Sequence, residues 1–198
     1  MRWVEPLESE AVLLLADDVD TDQIIPARFL KGTDRAGLGA GLFADWRARA
    51  ADRQESAFPL DQPGAERARV LVVGRNFGCG SSREHAAWAL VDRGFRAVVA
   101  LDFADIFRSN ALKNGLLPVQ LAAADHAHLA AQVRPGATVT IALESCALTM
   151  PDGSVASFEV ESFARHCLLH GIDELGYLLE RDGEILSYER TRARERTR

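Results

Sequence analysis

The chain has 198 residues, of which 23 are basic and 29 acidic, so the formal net charge is −6 with neutral histidines. Its hydrophobic content of 47% and charged content of 26% are ordinary for a globular protein and exclude wholesale disorder. No stretch approaches the roughly 18 uncharged apolar residues of a membrane-spanning helix, and the first residues lack the apolar run of a secretion signal. The acidic balance disfavours nucleic-acid binding, and the 3 cysteines favour a reducing compartment. We therefore expect a single cytoplasmic domain over residues 1–198, with no membrane or nucleic-acid partner.

Apolar runs alternate with helical patterns along the first two thirds of the chain. The runs are continuous in Val, Ala and Leu, which is typical of parallel strands covered on both faces. Pro26 can open a short helix that ends at Leu30, because proline is tolerated in a first helical turn. A glycine-rich loop at 32–41 and an irregular polar stretch at 50–69 follow. The other elements predicted here are strands at 11–15, 70–73, 97–101 and 116–121, and helices at 82–93 and 105–114.

The pattern changes near Pro135. Residues 137–148 and 155–160 alternate between apolar and polar, and Pro151-Asp152-Gly153 between them has turn chemistry, so a β-hairpin is predicted. Helices are predicted at 163–170 and from about residue 173, and a basic tail begins near residue 190. The predicted fold class is α/β, with a parallel βαβαβ core and β-hairpin additions.

The loop after the strand at 70–73 is the most informative segment. Gly78 and Gly80 allow backbone N–H groups to approach a ligand, and the start of the following helix favours an anion. Open α/β sheets bind ligands beyond the carboxyl ends of their strands, where this loop is expected to lie. Arg83 is predicted in the first helical turn, where a cation opposes the helix dipole. The loop is therefore expected to bind an anion beside Arg83.

Two other interpretations use the same residues. Ser81 and Glu84 have the spacing of a capping box, which would account for the segment without any function. A dinucleotide fingerprint would use Gly78 and Gly80, with Asp102 at the end of the next strand. Its third glycine is replaced by Arg83, which would collide with helix–strand packing. Spacing alone leaves the capping box open.

The segment from Asn76 to His85 resembles the signature loop of the swivelling domain of the aconitase superfamily. Further stretches narrow the likeness to the small-subunit family of 3-isopropylmalate dehydratases, the isomerases of leucine biosynthesis. These stretches are 19–26, 29–31, 45–47, 103–107, 114–118 and 163–173, and they span nearly the whole chain. The resemblance implies a swivelling β/β/α domain and a hydro-lyase that interconverts 2-isopropylmalate and 3-isopropylmalate by dehydration and rehydration.

The resemblance also assigns roles to residues of this chain. The family's general base, a serine alkoxide, falls on Ser81, and its substrate-carboxylate arginine falls on Arg83. Ser82 falls on a position that hydrogen-bonds the substrate. Arg35, in a loop that carries substrate discrimination, corresponds to a second carboxylate-binding arginine. Asp22 matches an active-site aspartate and is interpreted as orienting the basic loop.

A cofactor and a partner are implied as well. In the family a [4Fe-4S] cluster acts as Lewis acid on the departing hydroxyl. Cys79, Cys146 and Cys167 are widely separated and lack iron–sulfur spacing, so we expect this chain to bind no metal. The cluster is then expected on a large partner subunit, and the substrate is expected to be a small dicarboxylate. Two alternatives stay open: the small subunit of a homoaconitase or methylmalate-type hydro-lyase, and a dicarboxylate-binding module without catalysis.

Overall fold

The structure, a computed structural model, describes Trp3 and residues 6–30, 35–53 and 57–195, with side chains through residue 192. Its strands are β1 (Leu7–Leu14), β2 (Val70–Val73), β3 (Ala97–Ala100), β4 (Leu117–Gln120), β5 (Thr138–Ala142), β6 (Ala147–Thr149) and β7 (Val155–Ser157). Its helices are α1 (Thr21–Ile24), α2 (Ala44–Asp52), α3 (His85–Arg93), α4 (Asp105–Lys113), α5 (Ala123–Ala130), α6 (Ser162–His170), α7 (Glu174–Glu180) and α8 (Asp182–Glu195). Short 3-10 helices cover Ala27–Phe29, Leu38–Gly41 and Pro59–Asp61.

One seven-stranded sheet organises the fold, in the order β4-β3-β2-β1-β5-β6-β7. The pairs β1–β2, β2–β3 and β3–β4 are parallel, and the other three pairs are antiparallel. The long strand β1 joins the two halves, because residues 11–14 pair with β2 and residues 7–10 pair with β5. Pro118 lies in β4 at the sheet edge, where a strand tolerates proline. The predicted α/β class with a βαβαβ core, here β2-α3-β3-α4-β4, is confirmed.

Apolar side chains cover both faces of the parallel strands. In β2, Leu71 and Val73 belong to one apolar core while Val70 and Val72 belong to the other, and all four side chains are fully buried. Residues of α1, α3 and α4 complete the first core, and residues of α5 and α6 complete the second. This two-sided burial explains why the parallel strands are continuous apolar runs in the sequence.

The predicted hairpin is wrong in detail, because its first strand is two strands. β5 ends at Ala142 and β6 begins at Ala147. β6 pairs with β5 on one side and with β7 on the other, and both pairs are antiparallel. The turn between them places Cys146 at a φ of +52°, and the Cys146 N–H donates to the Leu143 carbonyl at 3.3 Å. Glu144 and Ser145 in the turn are two adjacent polar residues that interrupt the alternation of β5, and the prediction overlooked this signal of the break.

The helical segments between residues 17 and 69 differ from the sequence prediction. The acidic segment 17–22, read as a turn, contains the start of α1, a single helical turn that Asp20 caps. The stretch 50–69, read as irregular, includes the end of α2 at Asp52 and a short 3-10 helix at Pro59–Asp61. The basic tail continues α8 as far as Glu195. Within the described ranges, no helix is both long and apolar enough to cross a membrane.

Candidate active site at the carboxyl edge of the parallel strands

The chain segments that follow β1 and β2 are hydrogen-bonded to each other at the carboxyl edge of the sheet. The Gly74 N–H donates to the Ala16 carbonyl at 3.1 Å, and the Asp18 N–H donates to the Arg75 carbonyl at 2.9 Å. The Asp17 carboxylate accepts from the Arg75 N–H at 2.7 Å. These bonds fix the base of the glycine loop against the segment that carries α1.

Asn76 links this edge to the end of β3. Its backbone has a φ of +52°, a left-handed conformation that asparagine tolerates better than most residues. Its side-chain amide donates to Asp18 Oδ1 at 2.8 Å, and its backbone N–H donates to the Asp102 carboxylate. Asp102 therefore binds the loop backbone, and the role that a dinucleotide site would give its carboxylate is not supported.

Gly78 allows the glycine loop to lie directly on α4. Its φ is +78°, and a Cβ atom there would come within 2.2 Å of Cγ in the Phe107 ring. Phe107 is buried and its ring lies edge-on to Phe77, with centroids 5.2 Å apart. Only glycine satisfies both the backbone angle and the available space.

The segment that contains α1 holds the other side of the loop. The Gly78 N–H donates to the Val19 carbonyl at 2.8 Å, and the Thr21 N–H donates to the Cys79 carbonyl at 3.0 Å. The buried Thr21 hydroxyl donates to the Ser81 carbonyl at 2.9 Å. Asp20 fixes α1 itself, since its carboxylate accepts from the Gln23 N–H and the Gln23 side chain accepts from the Asp20 N–H. The backbone of Ser81 is thereby positioned by neighbours on both sides.

The side chains of Ser81 and Ser82 are exposed at the tip of this loop. Helix α3 begins at His85, three residues later than predicted, and its N-cap is Glu84 without a side-chain cap bond. The capping box that paired Ser81 with Glu84 is therefore wrong. In the described part of the chain, the Ser81 contacts are made by its carbonyl, which accepts from Thr21 and from the Arg83 N–H at 2.7 Å. The Ser81 hydroxyl is left available to a ligand.

Arg83 faces Asp22 across the loop. The prediction that Arg83 lies in the first turn of the helix is wrong, because it precedes the N-cap of α3. Its guanidinium Nη1 instead forms an ion pair with Asp22 Oδ1. The Arg83 side chain is 28% exposed and that of Asp22 is 51% exposed, so both remain accessible from solvent. A guanidinium has five N–H donors, and this pair uses one, so the planar group can also bind a carboxylate.

Arg35, on a different loop, contacts helix α3. Residues 32–34 of the predicted discrimination loop lie outside the described residues, and the chain resumes at Arg35. The Arg35 guanidinium carbon lies 4.6 Å from the centroid of the Trp88 ring on α3. The second half of the loop is anchored to the same helix, since the Gly39 N–H donates to the Asp92 carboxylate at 2.8 Å.

The cysteines do not form a metal centre in the described residues. Cys79 lies in the glycine loop, Cys146 in the turn after β5 and Cys167 on α6. Burial raises the pKa of the Cys79 thiol, and the nearby Asp20 and Asp18 carboxylates raise it further. Among the residues with described positions, no three side chains of the His, Cys, Asp or Glu type are grouped to hold a metal ion. These residues do not fit an iron–sulfur cluster.

The structure joins Ser81 to Arg83 by a backbone hydrogen bond and Arg83 to Asp22 by an ion pair, and Gly78 and Gly80 lie in the same loop with positive φ angles. Sequence reasoning missed the supporting residues Asn76, Asp102, Thr21 and Trp88. The capping box of Asp20 and Gln23 was visible as a spacing of three, and it would have revealed α1. The contacts of Asn76, Asp102, Thr21 and Trp88 join residues that are far apart in the chain, so no local sequence pattern predicts them.

These contacts define a class of domain: a parallel α/β sheet, covered on both faces, whose glycine loop presents a serine hydroxyl beside an arginine–aspartate pair. The family profile described as the Aconitase C-terminal domain matches residues 4–124. The chain is 55% identical over 189 residues to the 3-isopropylmalate dehydratase small subunit of Anaeromyxobacter dehalogenans, covering 96% of this chain and 98% of that one. It is 52% identical to the small subunit of the same name from Chloroflexus aurantiacus, covering 96% and 95%.

A solved structure agrees with these relatives. The crystal structure of 3-isopropylmalate dehydratase from Methanocaldococcus jannaschii matches with a TM-score of 0.68 and 30% identity, covering 93% of this chain and 99% of that one. The chain therefore belongs to the aconitase C-terminal domain family and, within it, to the 3-isopropylmalate dehydratase small subunits. The resemblance seen in the sequence is confirmed.

Proposed function

We propose that this chain is the catalytic small subunit of a heteromeric hydro-lyase that interconverts 2-isopropylmalate and 3-isopropylmalate. The observation that supports this most strongly is the loop from Gly78 to Arg83. Its backbone is held by Val19, Thr21 of α1 and Phe107 of α4, yet the Ser81 hydroxyl and the Arg83 guanidinium remain accessible. A base and a cation held on a rigid loop are what proton abstraction beside a carboxylate requires.

Ser81 is the general base in this proposal. Its alkoxide removes the proton from the substrate carbon next to a carboxylate, and the hydroxyl then returns a proton when water adds to the alkene. A free serine is too weak a base, so its charged form needs stabilisation by nearby cations and N–H donors. Arg83 supplies a cation two residues away, and Ser82 offers a second exposed hydroxyl to hydrogen-bond the substrate.

Arg83 and Arg35 bind the two carboxylates of the substrate. Asp22 holds the Arg83 guanidinium at the loop before the substrate arrives, which supports its interpretation as an orienting residue. The guanidinium fork matches a carboxylate with two parallel hydrogen bonds, so it selects a dianion by geometry as well as by charge.

The electrophile belongs to the partner in this proposal. A [4Fe-4S] cluster on the large subunit would supply Lewis-acid chemistry, which the reaction needs because hydroxide is a poor leaving group at neutral pH. The described residues of this chain do not fit such a cluster. The exposure of Ser81 supports the same division, because the reaction needs a surface that covers the loop and excludes water. The relatives with 48–55% identity are small subunits by name, which favours this substrate over homoaconitate or a methylmalate.

The proposal is tested with Ser81→Ala in the assembled enzyme of small and large subunits. Turnover of 2-isopropylmalate should fall about 10²- to 10⁴-fold, the range for a positioned general base. Size-exclusion chromatography should show normal assembly. Ser187→Ala, which changes an exposed serine on α8, is the matched control and should keep wild-type turnover. Near-normal turnover of Ser81→Ala would show that Ser81 is not the base.

A further inference from the structure

A chain of side-chain contacts connects Arg35 to the segment that carries Arg83. The Arg35 guanidinium lies over the Trp88 ring at 4.6 Å. Trp88 Nε1 donates to Asn114 Oδ1 at 2.9 Å, and Asn114 Nδ2 donates to Glu84 Oε1 at 2.7 Å. Glu84 directly follows Arg83 and is the N-cap of α3. These contacts therefore link the Arg35 side chain to Glu84, the residue that directly follows Arg83.

The amide of Asn114 has a single orientation in this network. Its Nδ2 group also donates to the Asn110 carbonyl at 2.8 Å, so both N–H bonds are used. Exchanging the amide oxygen and nitrogen would direct a donor at the Trp88 N–H and an oxygen at the Glu84 carboxylate. Both contacts would then be repulsive. Asn114 therefore fixes the edge of the Trp88 ring relative to the start of α3.

The fixed Trp88 ring gives the Arg35 side chain one preferred position. The His85 ring packs against Trp88 with centroids 4.5 Å apart, and the Arg35 guanidinium contacts the same indole ring. Arg35 is exposed, and a long exposed side chain samples many rotamers unless a contact selects one. The negative face of an indole ring attracts a cation and is the strongest such partner among the aromatic side chains.

We propose that Trp88 is a positioning residue, which holds Arg35 for the second carboxylate of the substrate while Asn114 fixes the ring. This inference rests on the proposed function, in which Arg35 and Arg83 bind the two carboxylates. In this proposal, neither Trp88 nor Asn114 contacts the substrate or the reacting atoms. Their effect is to set the spacing of the two cations before the substrate binds, which lowers the entropy cost of binding a dianion.

The test compares Trp88→Leu and Trp88→Phe in the assembled enzyme. Trp88→Leu removes the ring face and should raise KM roughly 2- to 5-fold, the effect of losing a cation–π contact at an exposed site, with kcat unchanged. Trp88→Phe keeps a ring but loses the N–H bond to Asn114, so its KM should lie between wild type and Trp88→Leu. A fall in kcat with KM unchanged in Trp88→Leu would overturn the proposal.

A double-mutant cycle separates positioning from general loss of structure. If Trp88 acts through Arg35, the KM of Arg35→Ala combined with Trp88→Leu should equal that of Arg35→Ala alone. Multiplicative effects of the two substitutions would contradict the proposal. Thermal unfolding of each variant subunit shows whether the fold persists. An NMR readout needs no activity: the Arg35 Hδ protons should be shifted upfield by the ring current in wild type, less so in Trp88→Phe, and not in Trp88→Leu.

Failure of the proposed function gives a different pattern. Calorimetric binding of 2-isopropylmalate to each variant complex is measured alongside turnover. If Ser81→Ala kept wild-type turnover, the proposed base would be wrong, whereas the binding constants of the Trp88 variants would still decide the positioning role. Equal dissociation constants for wild type and Trp88→Leu would overturn the positioning role with the Ser81 assignment intact.

Discussion

Replacing Gly78 with alanine should destabilise the chain through two separate terms. The residue has a φ of +78°, and an L residue in the left-handed region costs about 1–2 kcal/mol. The added Cβ would also come within 2.2 Å of the Phe107 ring, and Phe107 is only 2% exposed. Forcing a methyl group into a packed core costs about 1–3 kcal/mol. The sum, about 2–5 kcal/mol, is a large part of the 5–15 kcal/mol by which a typical domain is stable.

A matched control separates the two terms. Gly153 has a φ of +86°, and an added Cβ would have no described heavy atom within 4 Å. Gly153→Ala should therefore show only the backbone term. The free energy of unfolding of each variant is measured in urea by circular dichroism, and the difference between them is the contact with Phe107. Equal losses in Gly78→Ala and Gly153→Ala would refute the claim that the loop packs directly on Phe107.

Further predictions concern charge. Arg83→Lys keeps the cation but loses the planar fork, so KM for 2-isopropylmalate should rise markedly in the assembled enzyme; an unchanged KM would exclude two-point carboxylate binding. Hydrogen bonds from Ser154, with a smaller contribution from His128, lower the pKa of Asp152 from 3.8 to about 2. Because the folded-state pKa is depressed, the stabilisation is present above about pH 4 and is lost as the pH falls towards about 2. Carboxyl NMR should show the Asp152 midpoint rising in Ser154→Ala, and an identical midpoint would disprove this cause.

The predictable parts of this fold are those with a local cause. Strand β2 was predicted with its observed bounds because four consecutive apolar residues are buried on both faces. The break between β5 and β6 was not predicted, although the adjacent polar residues Glu144 and Ser145 interrupt the alternation there. α1 is one turn long, so it has no helical period to detect.

In the candidate site too, the features with a local sequence cause were predicted and those that depend on distant contacts were not. The glycine loop was recognisable from Gly78 to Arg83 because its residue types are unusual and contiguous. The start of α3 was placed too early, because Ser81 and Glu84 have capping-box spacing but Ser81 is held by Thr21 from another segment. The bond from Trp88 to Asn114 joins residues 26 positions apart, and only the packing of α3 beside α4 brings them together.

The most direct measurement takes the purified chain through anaerobic treatment with iron and sulfide, followed by an assay of 2-isopropylmalate with and without the large subunit. Our account predicts that the chain alone gains neither a stoichiometric cluster nor activity, because it supplies Ser81 and the arginines but not the electrophile. Isomerase activity should appear only after the cluster-bearing large subunit is added. A stoichiometric cluster with isomerase activity in the single chain would contradict the account.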